Sequence, residues 1–252
     1  MIPPNDMEAA FTIYSDPLFL LFPVASLLIG AVAFLAIALP LTWLAAANPR
    51  RLISYRLQEK PAPSRFFWPS LARLFLNQLC VLALAVVLWP LLRRSGVHAG
   101  GQLAWVEVGW QLPLFLVIDD CCSYILHRSL HAPWLFKHVH AVHHRIRKPS
   151  AIAGAYFHPV EYALINLAAL AGPVLVGAHV VTIWVWAVLR QWLAADGHSG
   201  YALPWSPLRL LPGHQGPSFH DWHHRSSAGN YANVFIWFDR WFGTISRGYV
   251  DR

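Results

Sequence analysis

Charge is scarce in this chain. Asp, Glu, Lys and Arg together make up 12% of 252 residues, against roughly 25% in ordinary soluble domains. Apolar residues reach 56% and the mean hydropathy is +0.42, so the composition excludes a conventional water-soluble domain and favours a membrane bundle. Cysteine is nearly absent. Cys80, Cys121 and Cys122 form no CxxC pair, which excludes a disulfide framework and a thiolate zinc site. There is no HExxH, so a zinc metalloprotease is excluded, and no Glu-x-x-His pair of the kind found in soluble di-iron bundles. The opening "MIPPNDMEAAF" is acidic and unlike a cleaved signal peptide, and "GYVDR" carries no retention or lipidation motif. The formal charge of +7 does not indicate nucleic acid, because the Lys and Arg residues flank long apolar runs and read as membrane anchors.

What is present is a series of such runs. Leu18 to Ala47 is 30 residues almost free of charge, longer than the ~20 a bilayer span needs. A basic, Pro-containing loop follows, then Leu71 to Leu92, then Leu103 to Leu126, the last interrupted by Asp119 and Asp120. Acids in such a segment are functional candidates by default. Tyr162 to Ala195 is broken by Gly172-Pro173 and Gly177, which predicts two shorter helices in a hairpin. The Trp- and Pro-rich C-terminal region predicts a surface-lying segment, its Trp and Tyr residues forming an interfacial belt. The expected fold is an all-α integral membrane bundle of about four to five membrane helices. Residues 1–110 would hold N-terminal transmembrane helices and the basic loop, and 111–252 the catalytic domain. The cluster of basic residues between Arg50 and Arg73, against a purely acidic leader, places that loop in the cytoplasm. Three spans then put His127 on the same side, and the hairpin returns the chain to it. Arg93 and Arg94 fall on the opposite side in this scheme.

Histidine is concentrated. Thirteen of the 14 lie between His127 and His224, with only His98 outside. "HRSLH" places His127 and His131 one helical turn apart, ~6 Å along the axis. "HAVHH" (His140, His143, His144) and "HDWHH" (His220, His223, His224) each follow i, i+3, i+4, one face of a helix. Eight imidazoles exceed what one ion takes and suit two, of the class zinc, copper, iron or nickel. His158 and His198 each have a carboxylate nearby, Glu161 and Asp196. Asp120 lies two turns before His127, and Asp221 sits inside the third box. Glu161, Asp196, Asp120 and Asp221 are therefore the candidates to accept a ligand's second N–H. His138, His179 and His214 fit no box and read as structural. Non-enzymatic readings remain open on these residues: a bis-His haem protein, for which the His doublets are poor, and a zinc transporter or sensor, for which few spans carry polar groups.

The order HxxxH, HxxHH, HxxHH resembles the fatty acid hydroxylase superfamily of integral-membrane, histidine-ligated di-iron oxygenases. "YILHRSLHAPWLFKHVHAVHH", "AGAYFHPVE", "GHSGYALPWSPLRLLP" and "FHDWHHRSSAGNYANVFIWFDRWFGT" are similar to consecutive segments of C4-methylsterol oxidases, together spanning about residues 115 to 248. The boxes alone also fit sterol C5-desaturases, cholesterol 25-hydroxylase, fatty acid 2-hydroxylases and carotenoid hydroxylases; "HPVE" and "GNY" favour the C4-methylsterol branch. Departures fall at Asp196 (Glu in the family), Ala155-Tyr156 (Glu-Tyr) and Ala202-Leu203 (an aromatic), near the expected substrate pocket. The resemblance implies ligation by His127, His131, His140, His143, His144, His220, His223 and His224, with His198 a ninth and His158 a tenth ligand. It implies two Fe ions, replaceable by Zn in an isolated protein, with O2 as oxidant. Electrons would come from NAD(P)H through cytochrome b5 or a ferredoxin-type donor and its reductase. A basic surface at Arg145, Arg147, Lys148 and Arg225 would meet the donor or lipid headgroups. The implied substrate is a membrane sterol methyl group, with other lipids as alternatives. The implied location is the endoplasmic reticulum in a eukaryote or the inner membrane in a bacterium, with the active site on the cytoplasmic face.

Overall fold

A computed structural model describes residues 12–59 and 63–250. The ends of the leader and chain, and Lys60 in the basic loop, lie outside the described residues. All regular structure among the described residues is helical. Helix α1 spans Pro17–Ala47. Asp16 caps it by accepting the Leu18 N–H at 2.9 Å, and Pro23, which lacks an N–H, sits in a π-helical turn at Leu20–Val24. The chain leaves α1 through Asn48 in the left-handed region (φ 45°). Helix α2 is Phe67–Leu92 and α3 is Trp105–Leu130. A short α4, Pro133–His138, precedes a 3-10 turn at His140–Arg145. Helices α5 (Pro159–Val176) and α6 (Val180–Gly197) form the expected hairpin. The break comes at Gly177 alone (φ 60°), while Gly172-Pro173 stays inside α5. Gly172 has a packing reason instead: a Cβ there would lie 2.7 Å from the Phe115 ring, so its absence lets α3 and α5 close up. Helices α7 (Gly216–Ser226) and α8 (Trp237–Trp241) complete the chain.

Five helices of 18 residues or more make the bundle. Three of them are long and apolar enough to cross a membrane: Pro17–Ala47, Ser64–Leu92 (α2 with its 3-10 lead) and Pro159–Val176. Helix α3 is also long, but Gln111, Asp119 and Asp120 lower its hydropathy, and all three are buried. The outer faces are the reverse of a soluble protein's. Phe75, Val87, Leu91 and Leu175 are each more than two-thirds exposed, an apolar surface that belongs against lipid. The chain is an integral membrane protein.

Helix α6 packs along α1, and α5 packs against α3 and α2. A 3-10 turn of small residues, Ala151–Ala155, is wholly buried where α1, α2 and α6 meet, its Ile152 N–H bonded to Thr42 Oγ1 at 2.9 Å. The antiparallel arrangement gathers the C-terminal ends of α1, α3 and α6 with the N-terminal ends of α2 and α5. The basic loop and every histidine box share that end. The acidic end of α1 and Arg93 of α2 meet at the other, Arg93 lying 3.9 Å from Asp16.

Candidate metal centre

Each histidine box arrives on a different element. His127 occupies the last turn of α3 and His131 its C-cap, where Ala132-Pro133 ends the helix. The second box lies in a 3-10 turn, His140–Arg145, rather than on the α-helical face its spacing suggests. His140, His143 and His144 are nonetheless all buried. The third box rides on α7, and His198 caps the C-terminus of α6.

These side chains converge on two points. His127, His131, His140, His144 and His223 form one group and His143, His198, His220 and His224 the other, with the candidate ligand atoms of each group within 4.8 Å of one another. The boxes do not map one to an ion. His140 with His144, and His220 with His224, are i, i+4 pairs that share a group, while the i+3 member of each box serves the opposite group. In the first group His140 and His144 Nε2 are 3.0 Å apart, and His144 and His223 Nε2 3.1 Å. In the second, His198 Nε2 lies 3.4, 3.0 and 3.3 Å from Nε2 of His143, His220 and His224.

The other ring nitrogens decide what these contacts mean. His198 Nδ1 donates to the Ala194 carbonyl at 2.8 Å and His143 Nδ1 to the Tyr156 carbonyl at 3.4 Å. His127, His140 and His223 donate from Nδ1 to the Tyr231 carbonyl (2.7 Å), Glu161 Oε1 (2.6 Å) and the Gly229 carbonyl (2.6 Å). A neutral imidazole with its proton on Nδ1 carries a bare lone pair on Nε2. Such lone pairs facing each other, as on His143 and His198, repel unless a cation lies between them. Metal–nitrogen bonds of ~2.1 Å set adjacent ligand nitrogens about 3 Å apart, the spacing seen here. His131 Nε2 is buried with no partner, a further open ligand position. The donor set is all imidazole, and it fits two ions of the zinc, copper, iron or nickel class.

Burial also fixes the protonation state. It pulls His131 and His144 down to about 3 and His198 to about 4. His143, His220, His223 and His224 are held well below the ordinary imidazole range, first by burial and then by one another. All are neutral at pH 7, the form that ligates metal.

Of the four acids singled out in the sequence, Glu161 alone bonds a clustered imidazole, and it is 1% exposed. Asp120 instead accepts the backbone N–H groups of Asn233, Val234 and Phe235 at 3.1, 2.9 and 3.1 Å. Asp196 is buried near the end of α6 without a bond to a clustered imidazole, and Asp221 accepts from Gln58 at 2.9 Å. His158 is not brought to either group; it caps α5, accepting the Val160 N–H at 3.2 Å. Three contributors carried no signal as isolated residues. Asp239 holds the Tyr231 and Ala232 N–H groups at 3.0 and 2.8 Å, so Asp120 and Asp239 together fix the loop whose Tyr231 carbonyl orients His127. Ser227, in the left-handed region after α7, meets His144 Nδ1 at 3.2 Å. Gly154 lies so close to His198 that a Cβ would sit 2.9 Å from its Nδ1.

Against known proteins, the family model described as fatty acid hydroxylase matches residues 112–244. A methylsterol monooxygenase 2-2 of Arabidopsis thaliana is 35% identical over 243 residues, covering 94% of this chain and 90% of the relative. Very-long-chain aldehyde decarbonylases GL1-11 and GL1-8 of Oryza sativa subsp. indica are 38% and 39% identical over 195 residues, covering 75% of this chain and 73% of each relative. No solved structure matches.

Proposed function

The chain belongs to the fatty acid hydroxylase family, and from that premise we propose that it is a membrane oxygenase using two irons and O2 to oxidise a sterol C4-methyl group. The observation that carries the reading is the pair of all-imidazole groups, five and four side chains, at one end of a lipid-facing bundle. A sterol methyl group has no acidic proton and no leaving group, so acid–base chemistry alone cannot reach it. Bound iron would supply the activation of O2 that such a carbon demands.

The chain's own residues do the rest. His127, His131, His140, His144 and His223 would hold one ion and His143, His198, His220 and His224 the other. Glu161 and the carbonyls of Tyr231, Gly229, Ala194 and Tyr156 fix the tautomers of His140, His127, His223, His198 and His143 and aim their Nε2 atoms inward. Below the imidazoles lies a cavity of about 130 Å³, walled by Phe34, Leu74, Leu130 and Ile165 among others. Its aliphatic side chains would hold a lipid's hydrocarbon beside the imidazoles, with Asp119, Asn166, Arg190 and Gln191 also in the lining. Arg145, Arg147 and Arg225 are exposed beside the boxes and form a basic face for an acidic carrier such as cytochrome b5 or a ferredoxin, fed by NAD(P)H. That face is cytoplasmic in this reading, in the endoplasmic reticulum of a eukaryote or the inner membrane of a bacterium. The methylsterol monooxygenase relative, similar over nearly the whole of both chains, supports the sterol assignment. The aldehyde decarbonylases, at comparable identity, support a second reading in which the substrate is a very-long-chain aldehyde.

The test is expression of the intact protein and a His223→Ala variant in cells lacking their own C4-methylsterol oxidase, with sterols and aldehydes profiled by mass spectrometry. Loss of 4,4-dimethylsterols with the intact protein alone is the expected result. Their persistence alongside loss of long aldehydes selects the second reading.

A further inference from the structure

Two cavities lie end to end inside the bundle. The first is the one beneath the imidazoles. The second, about 90 Å³, sits between α1, α2, α5 and α6 and is lined by side chains such as Leu27, Val81, Leu88, Leu170 and Ile183. Tyr162, Asn166, Arg190 and Gln191 border both. Three helices pass from one to the other in register: Phe34 to Gly30 to Leu27 on α1, Leu74 to Val81 to Leu88 on α2, and His198 to Arg190 to Ile183 on α6. Ile183 lies roughly 22 Å from His198 at 1.5 Å of rise per residue, the length of an extended sterol.

The junction is electrically quiet. Arg190 Nε and Nη2 meet the Asp119 carboxylate at 3.0 and 3.3 Å, and Nη2 also reaches the Ile165 carbonyl at 3.3 Å, so the pair presents no net charge to a passing hydrocarbon. Opposite stands Gly30, whose Cβ, were there one, would lie 3.6 Å from Gln191 Nε2. Any larger side chain at 30 would therefore run into Gln191 across the junction. Gln191 itself makes no hydrogen bond to another described residue, which leaves its amide free to swing.

We propose that the two cavities are one substrate chamber, with the oxidised end of the lipid at the imidazoles and its hydrocarbon tail in the second cavity. Gly30 and Gln191 are the residues that set what can pass. Which end reacts rests on the oxygenase reading; occupancy of the deep cavity does not.

The probe is a 4,4-dimethylsterol carrying a diazirine at the end of its side chain, irradiated with the iron-loaded protein in lipid nanodiscs and mapped by peptide mass spectrometry. Adducts are expected on α1, α2 and α6 at Leu27, Leu88 or Ile183. Gly30→Phe should cut them at least tenfold while leaving iron content and labelling of the lipid-facing Val87 and Leu175 unchanged. Gln191→Phe closes the same junction from the other wall, so misfolding of one variant leaves the other to decide. Adducts confined to lipid-facing residues overturn the chamber, and adducts at Leu126 or Leu130 overturn the orientation. Deep labelling without sterol oxidation would keep the chamber and remove the reaction; sterol oxidation without deep labelling would do the reverse.

Discussion

Gly154→Ala adds one methyl group and tests the second imidazole group through its least forgiving neighbour. The new Cβ would sit 2.9 Å from His198 Nδ1 and 3.0 Å from its Cγ. His198 has little room to yield. Its Nδ1 is committed to the Ala194 carbonyl at 2.8 Å, and its Nε2 is within 3.4 Å of three other imidazoles. Either the 3-10 turn moves, at about 1–3 kcal/mol for overpacking, or the ring turns and its Nε2 leaves the group. Disturbing the group that orients a metal-bound imidazole costs roughly 10- to 100-fold in metal affinity. The expected result, by metal analysis at limiting iron, is selective loss of about one of two ions, with the helical circular dichroism signal retained. Gly197→Ala is the control, since its Cβ would lie 4.0 Å from the His220 ring, an ordinary contact. Two ions per chain at unchanged affinity in Gly154→Ala would refute the placement of His198 as a ligand.

His158→Ala should keep full metal content and turnover and lose only a cap worth about 1 kcal/mol; loss of an ion would restore His158 to the ligand set. Glu161→Gln should weaken iron binding by roughly 10- to 100-fold, read by competition with a chelator, and an unchanged affinity would show that His140 needs no carboxylate. Asp120→Ala strands three backbone N–H groups of residues 233–235 and should lower stability by about 3 kcal/mol or more. The chelator-treated protein should lose stability as pH falls. His198 titrates at about 4 and His131 and His144 at about 3 when folded, while the unfolded chain takes up these protons below about 6.5. The unfolded state binds more protons across that window, so stability is full above it and declines from about pH 6.5 downward. A chemical-denaturation midpoint that is flat between pH 7.5 and 5 would contradict this.

The clustering of the histidines was legible from their density, although the second box winds as a 3-10 turn and the i+3 member of the second and third boxes faces the other group. The hairpin was legible from Gly177. The partition of the second and third boxes between two groups was not, since it depends on how α3, α6 and α7 are rotated against one another. The carbonyls of Tyr231, Gly229 and Ala194 could not be read either, because every residue has one and only tertiary packing selects which faces an imidazole. Asp120 looked like a partner of His127 by helical spacing. Its helix turns the carboxylate to a loop more than a hundred residues later, where three backbone amides outcompete one ring. Gly154 gave no sign of its importance, because a close approach is visible only from the other side of the contact.

The interleaving of the boxes has a consequence for biogenesis. Neither imidazole group is complete without α7: one needs His223, the other His220 and His224. That helix is synthesised after every membrane-spanning segment. While the ribosome is still working, the bundle can insert and pack with four imidazoles of the first group in place (His127, His131, His140, His144) but only two of the second (His143, His198). The second group is therefore the last to be assembled, after every segment long and apolar enough to cross the membrane has been made.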